Sequence, residues 1–513
     1  MKRYLTYLIL ALIFIGVYDA GYLTIEHYRN VIPPCSINDI FADCGRVLQS
    51  EYAVLFGIPL SLLGLVHYVL LFGISVFVIR FRKPLTTYWL LLQTTAGLLF
   101  SLYLVYLQLF VIRAICPYCM LSALVSTLIF ILVQYYFYRE RKSLLVTLFG
   151  LMYKNVVKPI LFLMDPEFVH VTMTKFGEAL GKVPLVQVVP RYMTTYDQPI
   201  LAQTIHGILF NHPVGLAAGF DYEAQLTQSL SVWGFGWQSV GTITNTAYEG
   251  NPRPMLGRLP KSRALLVNKG FKNLGADATI KKLTGLHFQI PVGISIGRTN
   301  SLALETQKES VEDIITTFTK FEKSPLRHVY YELNISCPNL KGDVEFYSPA
   351  HLEELLVEVD KLSIKRPIFI KMPIEKSDIE VESMLEIIAK HSPKGVIFGN
   401  LQKDRKDPSF DSAEIANAGK GNFGGKPTFA RSNELITLAY RGYKGRLTIV
   451  GCGGIFSAED AYMKIKLGAS LVQLVTGMIY EGPQLIAQIN MGLEELLKRD
   501  EYTHITQAIG TRS

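Results

Sequence analysis

Four long apolar runs open the chain, at about residues 4–18, 54–79, 85–111 and 115–137. Each is near the ~20 residues that a helix needs to cross a bilayer. The first passes into Asp19-Ala20-Gly21-Tyr22 with no clear small-residue cleavage site, which predicts a retained helix rather than a removed leader. Residues 143–190 change character. Short apolar helical patterns at 143–149 and 156–164 are broken by Lys154, Lys158 and Pro159, and Asp165-Pro166-Glu167 reads as a helix start with Asp at the cap. Beyond it Phe168, Val169, Val171, Thr172, Phe176 and Leu180 share roughly one helical face. That periodicity suits helices lying on a membrane as well as a linker packed on the next domain. From Pro213 onward, Val/Ile/Leu-rich runs alternate with helical patterns, the rhythm of parallel strands and crossover helices. Strands fall near 213–218, 235–241, 291–296, 328–334, 367–371, 394–399, 446–451 and 470–475, and eight is the count of a (β/α)8 TIM barrel. The pattern predicts a multidomain chain: an all-α four-helix transmembrane bundle at 1–142, an amphipathic helical junction at 143–190, and an α/β barrel at 191–513.

Composition sharpens this. Across 513 residues, 49% hydrophobic and 18% charged is too apolar for a wholly soluble enzyme. The net charge of +8 is not gathered in one basic block, so it reads as loop bias and anionic phosphate sites, with no nucleic-acid partner. Lys2-Arg3, then Arg80, Arg82 and Lys83, then Arg139, Arg141 and Lys142 fall on one side of four alternating helices. By the positive-inside rule that side is the cytoplasm. The expectation is a multi-pass protein of the cell membrane with a cytoplasmic barrel and outward-facing cysteine loops. Of six cysteines, Cys35, Cys44, Cys116 and Cys119 lie in the first 120 residues and would meet on the oxidising side, which implies two redox compartments. Two thiols separated by two residues at a helix start favour a thiolate and easy disulfide exchange. Four thiols also make a zinc set, which suits a lipid-embedded Cys-Pro-Tyr-Cys pair less well, and no metal is expected.

These residues resemble the vitamin K epoxide reductase family in its bacterial, disulfide-forming type, over roughly residues 1–140. The resemblance rests on Cys35-Ser36-Ile37, Cys44, Ser50, Phe56-Gly57-Ile58-Pro59-Leu60-Ser61 and Cys116-Pro117-Tyr118-Cys119, in order. It implies that Cys116 and Cys119 pass electrons to a quinone, that Cys35 and Cys44 exchange disulfides with a thioredoxin-like protein, and that Ser50 lies near the quinone head. Many bacterial members carry a thioredoxin-like domain in the same chain; none is seen here, so a separate partner on the outer face is expected.

In a (β/α)8 barrel the chemistry sits after the C-terminal ends of the strands. The strand-end residues are Ala218-Gly219, Gly241-Thr242, Ser295, Asn334, Lys371, Asn400, Gly453-Gly454 and Thr476-Gly477. The glycine pair and Thr476-Gly477 fall after the last two strands, where backbone amides cradle phosphate. Lys371 ends an apolar strand and would carry its ammonium into the barrel mouth, where a cation stabilises a reduced flavin. Asn334-Ile335-Ser336-Cys337-Pro338-Asn339 offers amides, a hydroxyl and a thiol at one strand end. A base and side-chain amides are what a carbon acid beside a flavin needs, although a free cysteine is commonly just a small buried apolar group. Cys452 is expected to pack.

This half resembles dihydroorotate dehydrogenase, the flavin enzyme of pyrimidine biosynthesis, over roughly residues 150–513. Gly215-Leu216-Ala217-Ala218-Gly219, Gly241-Thr242, Asn251-Pro252-Arg253-Pro254, the Asn334–Asn339 run, Gly424-Gly425-Lys426-Pro427 and Gly453-Gly454-Ile455 carry it. The resemblance implies an FMN site from Ala218, Gly219, Thr242, Asn334, Lys371, Gly425, Gly454 and Thr476. It implies Cys337 as base and Asn268, Lys269, Asn339 and Asn400 on the substrate. Asp165-Pro166-Glu167 and His170 are similar to the quinone-tunnel helices of the membrane-associated class, yet that class uses serine as base. Tyr222 stands where the family has a lysine, the loop Asn268-Lys269-Gly270-Phe271 is one residue short, Ser295 replaces a flavin-binding Asn, and Leu401 interrupts a Thr-Asn-Thr run. Lys269 is expected to hold the substrate carboxylate in place of the lysine that Tyr222 replaces. The expectation is a bifunctional membrane oxidoreductase: dihydroorotate oxidised through FMN to quinone, and thiols oxidised to quinone by the membrane half. The alternatives are a barrel acting on another reduced pyrimidine or enone, or a binding module without catalysis.

Overall fold

The computed structural model describes residues 2–35, 43–81, 84–342 and 344–513. They form two compact units, Met1–Leu144 and Leu145–Ser513. Ser36, Ile37, Arg82 and Lys83, used in the sequence analysis, lie outside the described residues.

The first unit is built on α1 (Lys2–Arg29), α2 (Leu60–Phe81), α3 (Pro84–Tyr106, prolonged by a π-helical turn over Leu107–Ile112) and α4 (Pro117–Tyr136). α1 packs on α2 and α4, and α3 on α4. Ile13, Tyr68, Leu71, Ile129 and Val133 fill the seam, while Trp89, Leu99, Leu102 and Phe110 stay exposed. Helices that are apolar all round are suited to lipid. Two segments depart from the run lengths. α1 continues past residue 18 to Arg29, burying Asp19. Residues 54–59 are not helical: Val54–Leu55 and Ile58–Pro59 pair antiparallel around Phe56 and Gly57, both at positive φ, as a two-residue hairpin turn requires.

By length and composition five helices could cross a membrane, the fifth being Leu145–Leu163. In the second unit that segment docks on the barrel. It comprises the end of α5 (Tyr138–Met152), a π-helical turn over Tyr153–Val157, and α6 (Lys158–Leu163). Tyr153 Oη donates to the Ile479 carbonyl at 2.7 Å, Lys154 pairs with Glu481, and Phe162 meets the Tyr480 ring edge-on at 5.4 Å. Its other face leaves Leu148, Leu151, Val156, Ile160 and Leu163 exposed. α7 (Pro166–Gly181) is capped by Asp165, whose Oδ1 accepts from the Phe168 amide at 2.8 Å, and α8 (Pro184–Thr194) follows. The face expected on α7 divides: Leu180 is buried, whereas Phe168, Val171 and Phe176 point out beside Leu185, Val186 and Val188. With apolar residues on more than one side of α7, periodicity alone did not choose the buried stripe.

The barrel strands are β1 (Val214–Leu216), β2 (Trp237–Ile243), β3 (Val292–Ile296), β4 (Tyr330–Asn334), β5 (Ile368–Met372), β6 (Gly395–Phe398), β7 (Thr448–Cys452) and β8 (Leu471–Leu474). They close into one parallel barrel in that order. All are buried along their lengths apart from Thr448 at the start of β7, as strands covered on both faces must be. The interior alternates bulky and absent side chains: a Cβ on Gly293 would lie 2.1 Å from the Tyr330 ring. Fully buried Glu332 accepts from Ser239 and Gln473 through Oε1. Two small sheets were not expected. One is the hairpin Gln203–Ile205 with Ile208–Phe210. The other joins Leu256–Leu259, Ala264–Val267 and Asn422–Gly425 antiparallel, and its residues Leu265, Val267 and Gly425 share a cavity with the strand ends.

Candidate active sites

In the second unit a cavity of about 170 Å³ lies at the C-terminal ends of the strands. Ala218, Gly219, Thr242, Asn334, Lys371, Gly425, Gly454 and Thr476 all line it, as do Cys337, Lys269, Asn339 and Asn400. β4 and β5 pair so that Asn334 lies beside Lys371, which brings amide and ammonium to the same level of the mouth. Asn334 Nδ2 donates to Thr242 Oγ1 at 2.9 Å, Thr242 Oγ1 lies 3.0 Å from Ser295 Oγ, and Asn334 Oδ1 accepts from the Ser336 amide and hydroxyl. Asn400 Nδ2 donates to Ser336 O and Oγ at 2.5 and 2.6 Å. Asn339 is tied to the covering sheet, donating to the Val267 carbonyl at 3.1 Å and accepting from Asn422 at 2.8 Å. The amides are therefore fixed by the protein itself.

One expected residue stands apart from the others. Asn268 does not line the cavity; it is buried, and its Oδ1 accepts from Asn251 Nδ2 at 3.1 Å. It prolongs the strand Ala264–Val267, and neighbours on extended chain face opposite ways, so Lys269 takes the inward position. Cys452, expected only to pack, is buried and also lines the cavity. Phe271, Leu265 and Val267 line it too and were not expected there; Phe271 belongs to the same loop as Lys269, but the other two reach the mouth only through an unforeseen sheet.

Lys269 is 8% exposed. Its Nζ donates to Tyr222 Oη at 2.8 Å and lies 3.9 Å from the centre of that ring. His170 of α7 stacks on the other partner of this contact, 5.2 Å from the Tyr222 ring. Burial pulls the Lys269 ammonium down to about 7, with Glu167 opposing and Lys272 adding to the shift. Burial likewise pushes the Cys337 thiol up to about 11, against the Asn339 amide and the charges of Lys371, Lys403 and Arg298.

In the first unit a cavity of about 630 Å³ is lined by Ser50, Cys119, Asp19, His67, Tyr68 and Gln108, among others. Ser50 Oγ donates to the Val47 carbonyl at 2.8 Å. Cys35 and Cys44 form a disulfide. Cys116 and Cys119 are free thiols, the first buried and at the cap of α4, with its amide donating to Gln108 Oε1 at 2.8 Å. All four cysteines belong to one apolar cluster with Val47 and Ala114. Sequence reasoning passed over Asp19, His67, Tyr68 and Gln108; a carboxylate and an amide inside apolar runs were the available signal.

Residues 200–497 match the model of the dihydroorotate dehydrogenase family, and residues 7–134 that of the vitamin K epoxide reductase family. The chain is 34% identical over 361 residues to a dihydroorotate dehydrogenase (quinone) of Roseiflexus castenholzii, a match covering 69% of this chain and 96% of that protein. For the enzyme of the same name from Gloeobacter violaceus the identity is 35% over 364 residues, covering 69% and 98%. Two crystal structures of Eimeria tenella DHODH superpose on 68% of this chain. The ferulenol complex gives a TM-score of 0.58 at 25% identity over 95% of its chain, and the ligand-free form 0.59 at 26% over 99%. The chain is thus an oxidoreductase fusion that belongs to the dihydroorotate dehydrogenase family through its barrel and carries a vitamin K epoxide reductase family region before it.

Proposed function

We propose that the barrel oxidises dihydroorotate to orotate with FMN as resident cofactor and a quinone as final acceptor, and that the membrane unit couples thiol oxidation to quinone reduction. The observation that carries the first half is the convergence of Cys337, Asn334, Asn339, Asn400, Lys269 and Lys371 on one cavity. The cavity suits FMN: Gly219, Gly425, Gly453, Gly454 and Gly477 bring backbone to its wall, and a Cβ on Gly219 would meet nothing within 4 Å, so the chain there faces open space. Ala218, Thr242, Asn334, Lys371 and Thr476 would hold the cofactor with these glycines. FMN, when bound, supplies the acceptor for the hydride leaving substrate C6. Cys337, as thiolate, takes the C5 proton. Asn339 and Asn400 orient the ring, and Lys269 receives its carboxylate. Lys371 places positive charge where reduction builds negative charge.

The second half rests on Cys119 and Ser50 sharing a cavity in an apolar helical unit whose loop cysteines are joined. Cys116 and Cys119 would reduce the quinone, and Cys35 and Cys44 would exchange disulfides with a separate thioredoxin-like protein. The docking of residues 145–163 on the barrel supports four crossings, and with the Lys/Arg bias of the helix flanks the barrel would be cytoplasmic and the cysteine loops would face outward from the cell membrane. Lipid and the quinone pool are then shared surroundings of both reactions. A second reading, another reduced pyrimidine or enone as barrel substrate, is favoured by Tyr222 and Leu401, which both line the cavity.

The test is anaerobic addition of dihydroorotate to the purified chain while flavin absorbance is followed. Rapid bleaching in wild type, lost in Cys337→Ala and reversed by a quinone, is the expected result. Bound flavin that dihydroorotate does not bleach would transfer the case to the second reading.

A further inference from the structure

Thiol oxidation by a quinone moves protons as well as electrons, and the membrane cavity holds a carboxyl group to which the proposed function gives no role. Asp19 sits midway along α1 with only 4% of its surface exposed, lines the cavity that Cys119 and Ser50 share, and has no protein hydrogen-bond partner at Oδ2. Leaving a buried carboxyl unpaired in an apolar bundle is costly, and an ionisable side chain inside a membrane helix usually marks a proton or ion path. The titratable groups facing the cavity are Asp19, Glu26 and His27 on α1, His67 and Tyr68 on α2, and Cys119 on α4, with Tyr52 from the loop. Others among them are engaged: His67 Nδ1 lies 3.0 Å from Gln93 Nε2, and Tyr68 Oη bonds Ser122 and Ser126. Glu26 stands two helical turns further along α1, towards its end at Arg29. Asp19 is also near enough to Cys116 for an electrostatic interaction.

We propose that Asp19 is the proton-transfer residue of this cavity, taking a proton shed by the Cys116/Cys119 dithiol and delivering it to an oxygen of a quinone bound there. The inference rests on the thiol and quinone reading of the unit. The balance closes: two S–H bonds break and one S–S bond forms, two electrons and two protons pass to the quinone, and its two carbonyls become the hydroxyls of a quinol. Asp19 carries one of those protons and ends in the form in which it began.

The experiment uses the full chain in detergent, with dithiothreitol as donor, a short-chain quinone as acceptor and no dihydroorotate, comparing wild type with Asp19→Asn, Asp19→Glu and Cys119→Ala. The expected result is a fall in kcat of about 100-fold or more for Asp19→Asn with KM for quinone little changed, a flattened pH profile, and recovery of much of the rate in Asp19→Glu with a displaced profile. Wild-type kcat and pH profile in Asp19→Asn, beside an inactive Cys119→Ala, would overturn the proposal while leaving the thiol and quinone reading intact. A raised KM with unchanged kcat would also overturn it, making Asp19 a positioning residue. Activity in Cys119→Ala would remove the underlying reading and Asp19's role with it. If Asp19→Asn does not accumulate, Asp19→Glu decides: a displaced pH profile supports proton transfer, and an unmoved one refutes it.

Discussion

At the scale of single residues, the contact between Lys269 and Tyr222 sets the character of the barrel site. The ammonium is buried and its hydrogen bond goes to a neutral phenol, so an anionic substrate group would complete its pairing. A charge-assisted hydrogen bond contributes ~1.5–3 kcal/mol, which is about 10- to 100-fold in affinity. Lys269→Ala is therefore expected to raise KM for dihydroorotate by that factor, and adding Tyr222→Lys to recover part of it; an unchanged KM in the single variant would dismiss the contact. The pH dependence separates two groups. Lys269 titrates near 7 and binds an anion only when protonated, so KM should climb as pH rises through about 7. Cys337, the proposed base, would act as thiolate and burial pushes it up to about 11, so the rate of flavin reduction at saturating substrate should climb about tenfold per pH unit below that value. Stopped-flow reduction at several pH values resolves the two limbs. The chemistry-bearing types were legible from their strand-end positions, but not which of Asn268 and Lys269 turns inward, because that alternation depends on a sheet formed with residues 422–425, far along the chain.

At the scale of elements, the eight barrel strands were legible because strands buried on both faces are almost uninterrupted apolar runs, each followed by small or polar residues. The hairpin at 203–210 and the covering sheet were not, since their strands are three or four residues long and one pairs across a long loop. From sequence the segment 54–59 reads as part of the following helix because its residues are as apolar as those after it, whereas the positive φ of Phe56 and Gly57 turns it into a hairpin. The segment 145–163 shows the converse: composition qualifies it as a span, while Tyr153 and Lys154 fasten it to the barrel. Its exposed apolar face, with that of α7 and α8, has the composition that suits contact with lipid. A charge placed there should hinder delivery of a membrane-borne acceptor without touching the strand ends. Leu185→Glu is expected to raise KM for a long-chain quinone several-fold and to leave KM for dihydroorotate and for a small water-soluble acceptor unchanged. Equal effects on both acceptors would argue against that surface.

At the scale of the whole molecule, the division into two compact units gives the two proposed chemistries separate thiols and separate cavities. Composition made this visible early, since four cysteines fall in the apolar first part and the barrel motifs all lie beyond residue 213. Two donors that feed one acceptor pool need no direct exchange. Cys337→Ala should thus leave thiol-driven quinone reduction at the wild-type rate, and Cys119→Ala should leave flavin bleaching by dihydroorotate unchanged. Loss of one activity on disabling the other would reveal coupling that separate sites do not require.

The way the amides at the barrel mouth are tethered also fixes a polarity. Asn400, which lines the cavity, places both of its Nδ2 hydrogen bonds on Ser336 and so keeps its Oδ1 as an acceptor. Asn334, whose Oδ1 is occupied by Ser336 and whose Nδ2 spends one hydrogen on Thr242, retains a donor. With Asn400 on the substrate and Asn334 on the cofactor, as proposed, the substrate edge that fits is one presenting N–H to Asn400, and the cofactor edge one presenting an oxo group to Asn334. A substrate ring without hydrogen at that edge would set acceptor against acceptor on Asn400, so under the proposed function weaker binding is expected of it than of a ring that carries N–H there.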